Sequence, residues 1–314
     1  MLQQTVVKTV IPYYLHFLRR WPDIAALAAA DLDQVLHAWQ GLGYYARARN
    51  LHKCAQAVAA DHGGAFPETE AGLRALPGIG PYTAAAILAI AFGRKASPVD
   101  GNIERVVARL FAVREPLPGA KGELRRLAAG LTPSRRAGDH AQALMDLGAT
   151  VCLARAPQCG HCPLQQICLG HQQGIAASLP RRAAKAARPN RYGVAFCLFD
   201  EAGRLLLRRR PEQGLLGGMM EVPSTPWRGE VWRGEEIEAF APQSAPQFAP
   251  WRILPGTITH TFTHFRLELE VRTATGGRPA ASGEIWHPPA NLAELALPTV
   301  IKKVLRHGLP SGKS

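Results

Sequence analysis

Four of the six cysteines fall in one short stretch, spaced Cys152-x6-Cys159-x2-Cys162-x5-Cys168. Thiolates grouped so closely can close around one metal centre. Zinc sites are often built from two separated Cys-x2-Cys pairs, and this spacing differs. The spacing alone leaves zinc and an iron–sulfur cluster both open. A disulfide framework does not suit a chain of this size without a secretory signal. Cys54 and Cys197 stand apart and read as core residues.

A second constellation lies upstream. In Leu76-Pro77-Gly78-Ile79-Gly80-Pro81-Tyr82-Thr83-Ala84, two glycines separate two helical patterns. Gly78 and Gly80 permit positive φ and close backbone approach. Amides ahead of the second helix can then face a phosphate, helped by the helix dipole. Such a turn holds a nucleic-acid backbone without reading sequence, though Gly-x-Gly also serves as a plain helix–helix turn. Asp100, in Pro98-Val99-Asp100-Gly101-Asn102, stands just ahead of another helical pattern. Helix capping is the common use of such an aspartate.

The elements that position these residues change character along the chain. Up to about residue 170 the apolar spacing is helical. Leu2, Val6, Val7, Val10, Ile11, Tyr14, Phe17 and Leu18 predict one helical face over 2–18. Further helices are expected at 33–39, 46–60, 83–88 and 103–111. The apolar pattern is already running at Leu2, without a cap or a preceding turn, which suggests that the domain's true beginning is missing. Residues 170–191 carry Arg181, Arg182, Lys185, Arg188 and Arg191 without an acid and read as a basic linker. Beyond them the pattern is β. Phe265, Leu267, Leu269 and Val271 alternate with charged residues. Val194, Phe196 and Leu198 suggest another strand, Leu205-Leu206-Leu207 a third, and 298–305 a closing helix.

Length and composition agree with this division. A chain of 314 residues with 47% hydrophobic content fits two domains with real cores. No run of 18 apolar residues is present to span a membrane. Neither a span nor a secretory signal being visible, the expected compartment is a reducing cytosol. Lys plus Arg number 37 against 24 Asp plus Glu, a formal charge of +13, which favours a polyanionic partner.

The cysteine loop, the hairpin and the aspartate occur in order and at suitable separations. Together they closely resemble the helix-hairpin-helix DNA glycosylases that carry a [4Fe–4S] cluster. Within that superfamily the chain resembles the adenine DNA glycosylase (MutY) family over nearly its whole length. Leu2-Gln3-Gln4-Thr5 and Gly41-Leu42-Gly43-Tyr44-Tyr45-Ala46-Arg47 match the family's DNA-contacting motifs, and Gly214-Leu215-Leu216-Gly217-Gly218 and His260-Thr261-Phe262-Thr263-His264-Phe265 match its Nudix-like reader domain. The implied fold is multidomain, α and α+β. An all-α helix-hairpin-helix glycosylase domain with its iron–sulfur loop fills 1–169, a basic linker 170–191, and a Nudix-like α+β domain 192–310.

The resemblance implies base excision repair, with hydrolysis of the N-glycosidic bond of adenine mispaired with 8-oxoguanine or guanine in double-stranded DNA. Asp100 would stabilise the positive charge left on the sugar, and Tyr82 would order the catalytic carboxylates. Cys152, Cys159, Cys162 and Cys168 would hold the [4Fe–4S] cluster. Gln3, Gln4, Tyr44, Arg47, Gly78 and Gly80 would contact DNA. Phe262, Thr263 and His264 would contact 8-oxoguanine, with threonine where the family often has serine. Glu221, Glu230, Glu235 and Glu236 do not form the magnesium-binding Nudix pattern, so recognition is expected there rather than pyrophosphate hydrolysis. The family's general acid is a glutamate two residues before the Met-Leu-Gln-Gln-Thr segment, which here starts at Met1. The chain as written is therefore expected to be impaired or inactive. A monomeric, cytoplasmic, nucleoid-associated bacterial protein without membrane attachment is implied. The rival readings are a non-catalytic DNA lesion binder and an endonuclease III-like pyrimidine glycosylase.

Overall fold

The computed structural model describes residues 1–309 except Gln4, 184–186, Gln213 and 243–249. It forms two compact units, Met1–Lys53 with Ala186–Ser314, and Cys54–Lys185. This grouping differs from the boundaries expected from sequence character, because the first helices pack on the β-rich C-terminal part.

In the first unit, α1 (Val7–Arg20), α2 (Ile24–Ala28) and α3 (Leu32–Ala38) open the chain. Asp23 and Asp31 cap α2 and α3 by accepting backbone N–H bonds. The helix expected from Leu2 begins only at Val7. The carbonyls of Met1 and Gln3 accept hydrogen bonds from the Arg47 guanidinium, which holds this segment outside the helical ladder. The expected single apolar face also splits. Val10 and Phe17 are buried, whereas Val7, Ile11, Tyr14 and Leu18 remain exposed. Val35, Leu36 and Trp39 share a core with Met219 and Ala296. Asp33 accepts two bonds of 2.6 Å from Arg209, and Gln40 accepts one of 3.0 Å from Lys302. These links tie residues 1–53 to the sheet. The helix α4 (Ala46–Asp61) runs from this unit into the next.

The second unit holds α5 (Glu70–Ala75), α6 (Pro81–Ala86), α7 (Gly101–Leu110), α8 (Lys121–Leu131), α9 (Ala137–Thr150) and α10 (Leu169–Gln172). A π-helical stretch, Ile87–Ala91, extends α6. The core joins Ile103, Val106 and Val107 to Leu124, Ala128 and Leu144. A Cβ on Gly148 would lie 2.7 Å from Asn102 Cβ, so only glycine lets α9 approach α7 this closely.

The sheet contains β1 (Asn190–Phe199), β2 (Leu205–Arg209), β3 (Met220–Glu221), β4 (Arg252–Ile253), β5 (Ile258–Thr261), β6 (Arg266–Thr275) and β7 (Glu284–His287). Its order is β3-β2-β1-β6-β4, with β5 on β6 and β7 on β2. The central pair, β1 and β6, is parallel from Asn190↔Arg266 to Phe199↔Thr275. Both faces of β1 are covered, which explains its continuous apolar run. Val194 and Phe196 pack with Ile237 of α11 (Glu235–Glu238), while Ala195 and Cys197 join Leu267, Leu269 and Val271 under α12 (Thr299–Gly308). Among the described residues no helix is long and apolar enough to cross a membrane.

Candidate functional site

Local sequence chemistry builds the hairpin. Thr69 caps α5, Gly78 turns the chain at φ +76°, and Pro81 occupies the first turn of α6, where its missing N–H costs nothing. A Cβ on Gly80 would meet open space, so the backbone there is accessible. Tyr82 follows on the first turn of α6, 38% exposed. Burial, and then the nearby Asp100 carboxylate, push the Tyr82 phenol above its usual pKa, so it remains a neutral hydrogen-bond donor at neutral pH.

Asp100 is the N-cap of α7. Its Oδ1 accepts from Asn102 N at 2.9 Å and Ile103 N at 2.8 Å, and its Oδ2 accepts from Asn102 Nδ2 at 3.1 Å. Capping and a role in chemistry are compatible, because the cap occupies mainly one oxygen. The network continues through Asn102 Oδ1, which accepts from Arg105 Nη2 at 2.9 Å, and Arg105 Nε, which donates to Cys152 O at 2.7 Å. A continuous polar chain thus runs from Asp100 to the cysteine loop within one unit. Asn102 and Arg105 escaped the reading of the sequence. The available signal was the spacing of Arg105 and Arg109, one helical turn apart behind Asp100.

Cys152, Cys159, Cys162 and Cys168 line one small cavity together with Arg109 and His171, and none forms a disulfide. The Cys159 thiol is pushed up by burial, then by its neighbours Cys152, Cys168 and Cys162, as befits converging thiols. Four convergent sulfurs and a buried guanidinium fit an anionic metal–thiolate centre. Cys54 and Cys197 are buried in cores, as the sequence suggested.

In the other unit, Tyr44 has φ +48°, the left-handed region that aromatic residues rarely occupy. Gly41 and Gly43, at φ +101° and +69°, build the turn around it. Arg47 fixes that turn. It donates to Met1 O at 2.8 Å, Thr5 Oγ1 at 3.1 Å, Leu42 O at 3.0 Å, Gly43 O at 3.3 Å and Gln3 O, and its guanidinium lies over the Trp39 and Tyr44 rings. Arg47 donates to four backbone oxygens and the Thr5 hydroxyl, and these donors bind the two motif segments to each other. Gln3 is exposed beside it, and Gln4 lies outside the described residues.

Phe262 N donates to Phe265 O at 2.9 Å, closing a tight turn that leaves Thr263 and His264 exposed. Phe262 packs among His260, Trp227 and Phe265. Tyr44 Oη and Thr263 Oγ1 lie 3.0 Å apart, joined by a hydrogen bond across a sequence separation of 219. Glu221 is buried between Arg208 and Arg210, and Glu236 pairs with Arg228.

These features define a helix-hairpin-helix base excision glycosylase with an iron–sulfur loop and a Nudix-like partner domain. Residues 1–131 match the HhH-GPD superfamily of base excision DNA repair proteins, 152–168 the iron–sulfur binding domain of endonuclease III, and 194–307 the NUDIX domain. The rat adenine DNA glycosylase is 34% identical over 98% of this chain and 69% of its own length. That of Buchnera aphidicola from Acyrthosiphon pisum is 29% identical over 98% and 87%. A thermostable thymine-DNA glycosylase structure aligns with a TM-score of 0.51 at 30% identity, covering 55% of this chain and 80% of its own. The chain belongs to the adenine DNA glycosylase family, and its cysteine loop is a [4Fe–4S] site.

Proposed function

We propose that this glycosylase removes adenine mispaired with 8-oxoguanine, reading the lesion with Tyr44 and the Phe262-Thr263-His264 loop and cleaving with Asp100. The observation that carries this reading is the Tyr44–Thr263 hydrogen bond. It places an exposed aromatic ring, suited to wedging into a base stack, beside a hydroxyl and a histidine suited to reading a base edge. The target nucleotide leaves the stack before reaction.

Breaking the glycosidic bond leaves positive charge on the sugar, and adenine departs with a proton that the family's general acid, or solvent in its place, must supply. Water then bonds to the sugar carbon and releases a proton to solvent, balancing the one adenine took and giving an abasic site. The Asp100 carboxylate, held on the α7 amides, stabilises the developing cation without moving. Tyr82, close enough to Asp100 to feel its charge, would hold that carboxylate in place. Cys152, Cys159, Cys162 and Cys168 would hold the cluster, which supplies a rigid, redox-active crosslink for the loop. The exposed Arg155 and His161 would present that loop's positive charge to DNA. Glu221 is tied to two arginines, which supports recognition rather than pyrophosphate hydrolysis in the NUDIX domain. The division into residues 1–169, 170–191 and 192–310, and a monomeric state, belong to the same proposal.

The test is single-turnover release of free base from an A:8-oxoguanine duplex, with a damaged-pyrimidine duplex and borohydride trapping alongside. Adenine release without covalent trapping is expected when the chain is extended upstream by the family's general-acid glutamate, and weak or no release from the chain as written. Pyrimidine release, or trapping through a lysine imine, would replace the reading with an endonuclease III-like one. Tight lesion binding without any release, even from the extended chain, would replace it with a non-catalytic binder.

A further inference from the structure

Arg109 lies on α7, nine residues beyond Asp100 and 1% exposed. Its Nε donates to Leu179 O at 2.9 Å, and its Nη2 to Ala154 O at 3.1 Å. Its Nη1 donates to Leu153 O at 2.7 Å and to Cys152 Sγ at 3.2 Å. The Arg109 carbonyl oxygen lies 3.4 Å from Cys168 Sγ. A Cβ on Gly170 would lie 2.6 Å from that carbonyl, so glycine is needed where α10 closes on it. One residue therefore touches the first and the last cysteine of the loop.

Charge makes this contact more than packing. A guanidinium removed from water costs several kcal/mol unless it is paired and fully hydrogen-bonded. All its partners among the described residues are carbonyl oxygens and one cysteine sulfur; none is a carboxylate. The negative charge that balances Arg109 must come from the thiolates themselves. With four thiolates a [4Fe–4S] centre is anionic, and each one-electron reduction adds a further negative charge. A fixed cation at one ligand sulfur, donating an N–H to it, favours the more negative member of each redox pair.

We infer that Arg109 is the buried counter-cation of the cluster, holding Cys152 and raising the cluster's reduction potential by its charge. The inference rests on the [4Fe–4S] reading of the loop and concerns a positioning residue, since Arg109 touches no reacting atom.

The experiment compares the full chain with Arg109→Lys and Arg109→Gln, without DNA. Iron and sulfide content, visible absorbance, thermal melting and the one-electron potential by protein-film voltammetry are measured on each. Arg109→Gln is expected to shift the one-electron equilibrium at least tenfold towards the oxidised cluster, a lowering of about 59 mV or more. Arg109→Lys is expected to keep most of the parent potential. Equal lowering in both variants, or an unchanged potential in a folded Arg109→Gln, overturns the inference. Should Arg109→Gln fail to hold a cluster, Arg109→Lys decides: a potential close to the parent supports the charge argument, and a tenfold shift refutes it. If the parent chain itself assembles no cluster, the reading of the loop fails, which is distinct from a loaded cluster indifferent to Arg109.

Discussion

Tyr44 and Thr263 are joined by a hydrogen bond of 3.0 Å between the phenol and the threonine hydroxyl. Tyr44 comes from a glycine-flanked turn ahead of α4, and Thr263 from the turn between β5 and β6. Each is exposed, so the bond is made in reach of solvent rather than in a core. The pair has to be positioned from both sides, and Arg47 and the Phe262 cluster do so.

The pair can be tested by a double-mutant cycle. Tyr44→Phe and Thr263→Val each remove one hydroxyl with little change of shape. The coupling between them in binding an A:8-oxoguanine duplex is expected to be about 0.5–1.5 kcal/mol, the usual net value of one hydrogen bond. Thr263→Ser keeps the donor and should bind as the parent does. Fluorescence anisotropy titrations check each value; strictly additive effects would show that the two hydroxyls act separately.

Arg47 should matter through structure. Arg47→Gln removes charged hydrogen bonds to both motif segments. It is expected to cost roughly 1.5–3 kcal/mol of stability, the range of hydrogen bonds to charged groups. Arg47→Lys should recover little, because an ammonium cannot reach carbonyls in two directions. Urea melts give the cost. The salt dependence of DNA binding, which reports phosphate contacts, should be nearly unchanged among folded variants. A reduced salt slope would return Arg47 to the DNA backbone.

Asp100 separates its two roles by substitution. Asn caps a helix as well as Asp does, whereas Ala loses about 1 kcal/mol. Asp100→Asn should therefore melt with the parent while adenine release falls about 10²–10³-fold, the usual loss of one electrostatic stabiliser. Asp100→Ala should lose both. Parent-like release by Asp100→Asn would leave the cap as the residue's sole role.

Burial pushes the Cys197 thiol from 9.0 up to about 12. The unfolded chain ionises first, so it binds fewer protons than the folded chain within that window. Stability then falls as pH rises from 9.0 towards 12, by about 1.4 kcal/mol per pH unit from this one group. Denaturant melts across that range should show a steeper decline for the parent than for Cys197→Ala. Parallel curves would mean the thiol ionises in the folded state. Gly308, whose Cβ would lie 2.6 Å from Cys197 Sγ, explains the tight cover.

The sequence carried the chemistry further than the architecture. Cysteine spacing, the glycine hairpin and the alternation along 265–271 are local patterns, and the structure shows each where local physics places it. Contacts between distant segments left no local trace. Nothing in the spacing of residues 2–18 shows that Arg47 takes the carbonyls of Met1 and Gln3, so the helix was expected five residues early. Nor could periodicity divide α1 into a buried stripe at Val10 and Phe17 and an exposed one at Val7, Ile11, Tyr14 and Leu18. The parallel pairing of β1 with β6 and the grouping of residues 1–53 with the sheet depend on partners more than 60 residues away. Nothing in the sequence singles out Arg109 as buried, and only packing shows it against Cys152.

Lesion reading is tested most directly by equilibrium binding, which isolates recognition from bond cleavage. The parent and Thr263→Ala would be titrated against duplexes identical except for an A:8-oxoguanine or an A:T pair. The parent is expected to favour the lesion duplex at least about tenfold, the worth of one well-placed polar contact, and Thr263→Ala to lose most of that preference. Equal affinity of the parent for the two duplexes, or an undiminished preference in Thr263→Ala, would contradict the assignment of the Tyr44–Thr263 pair to lesion reading.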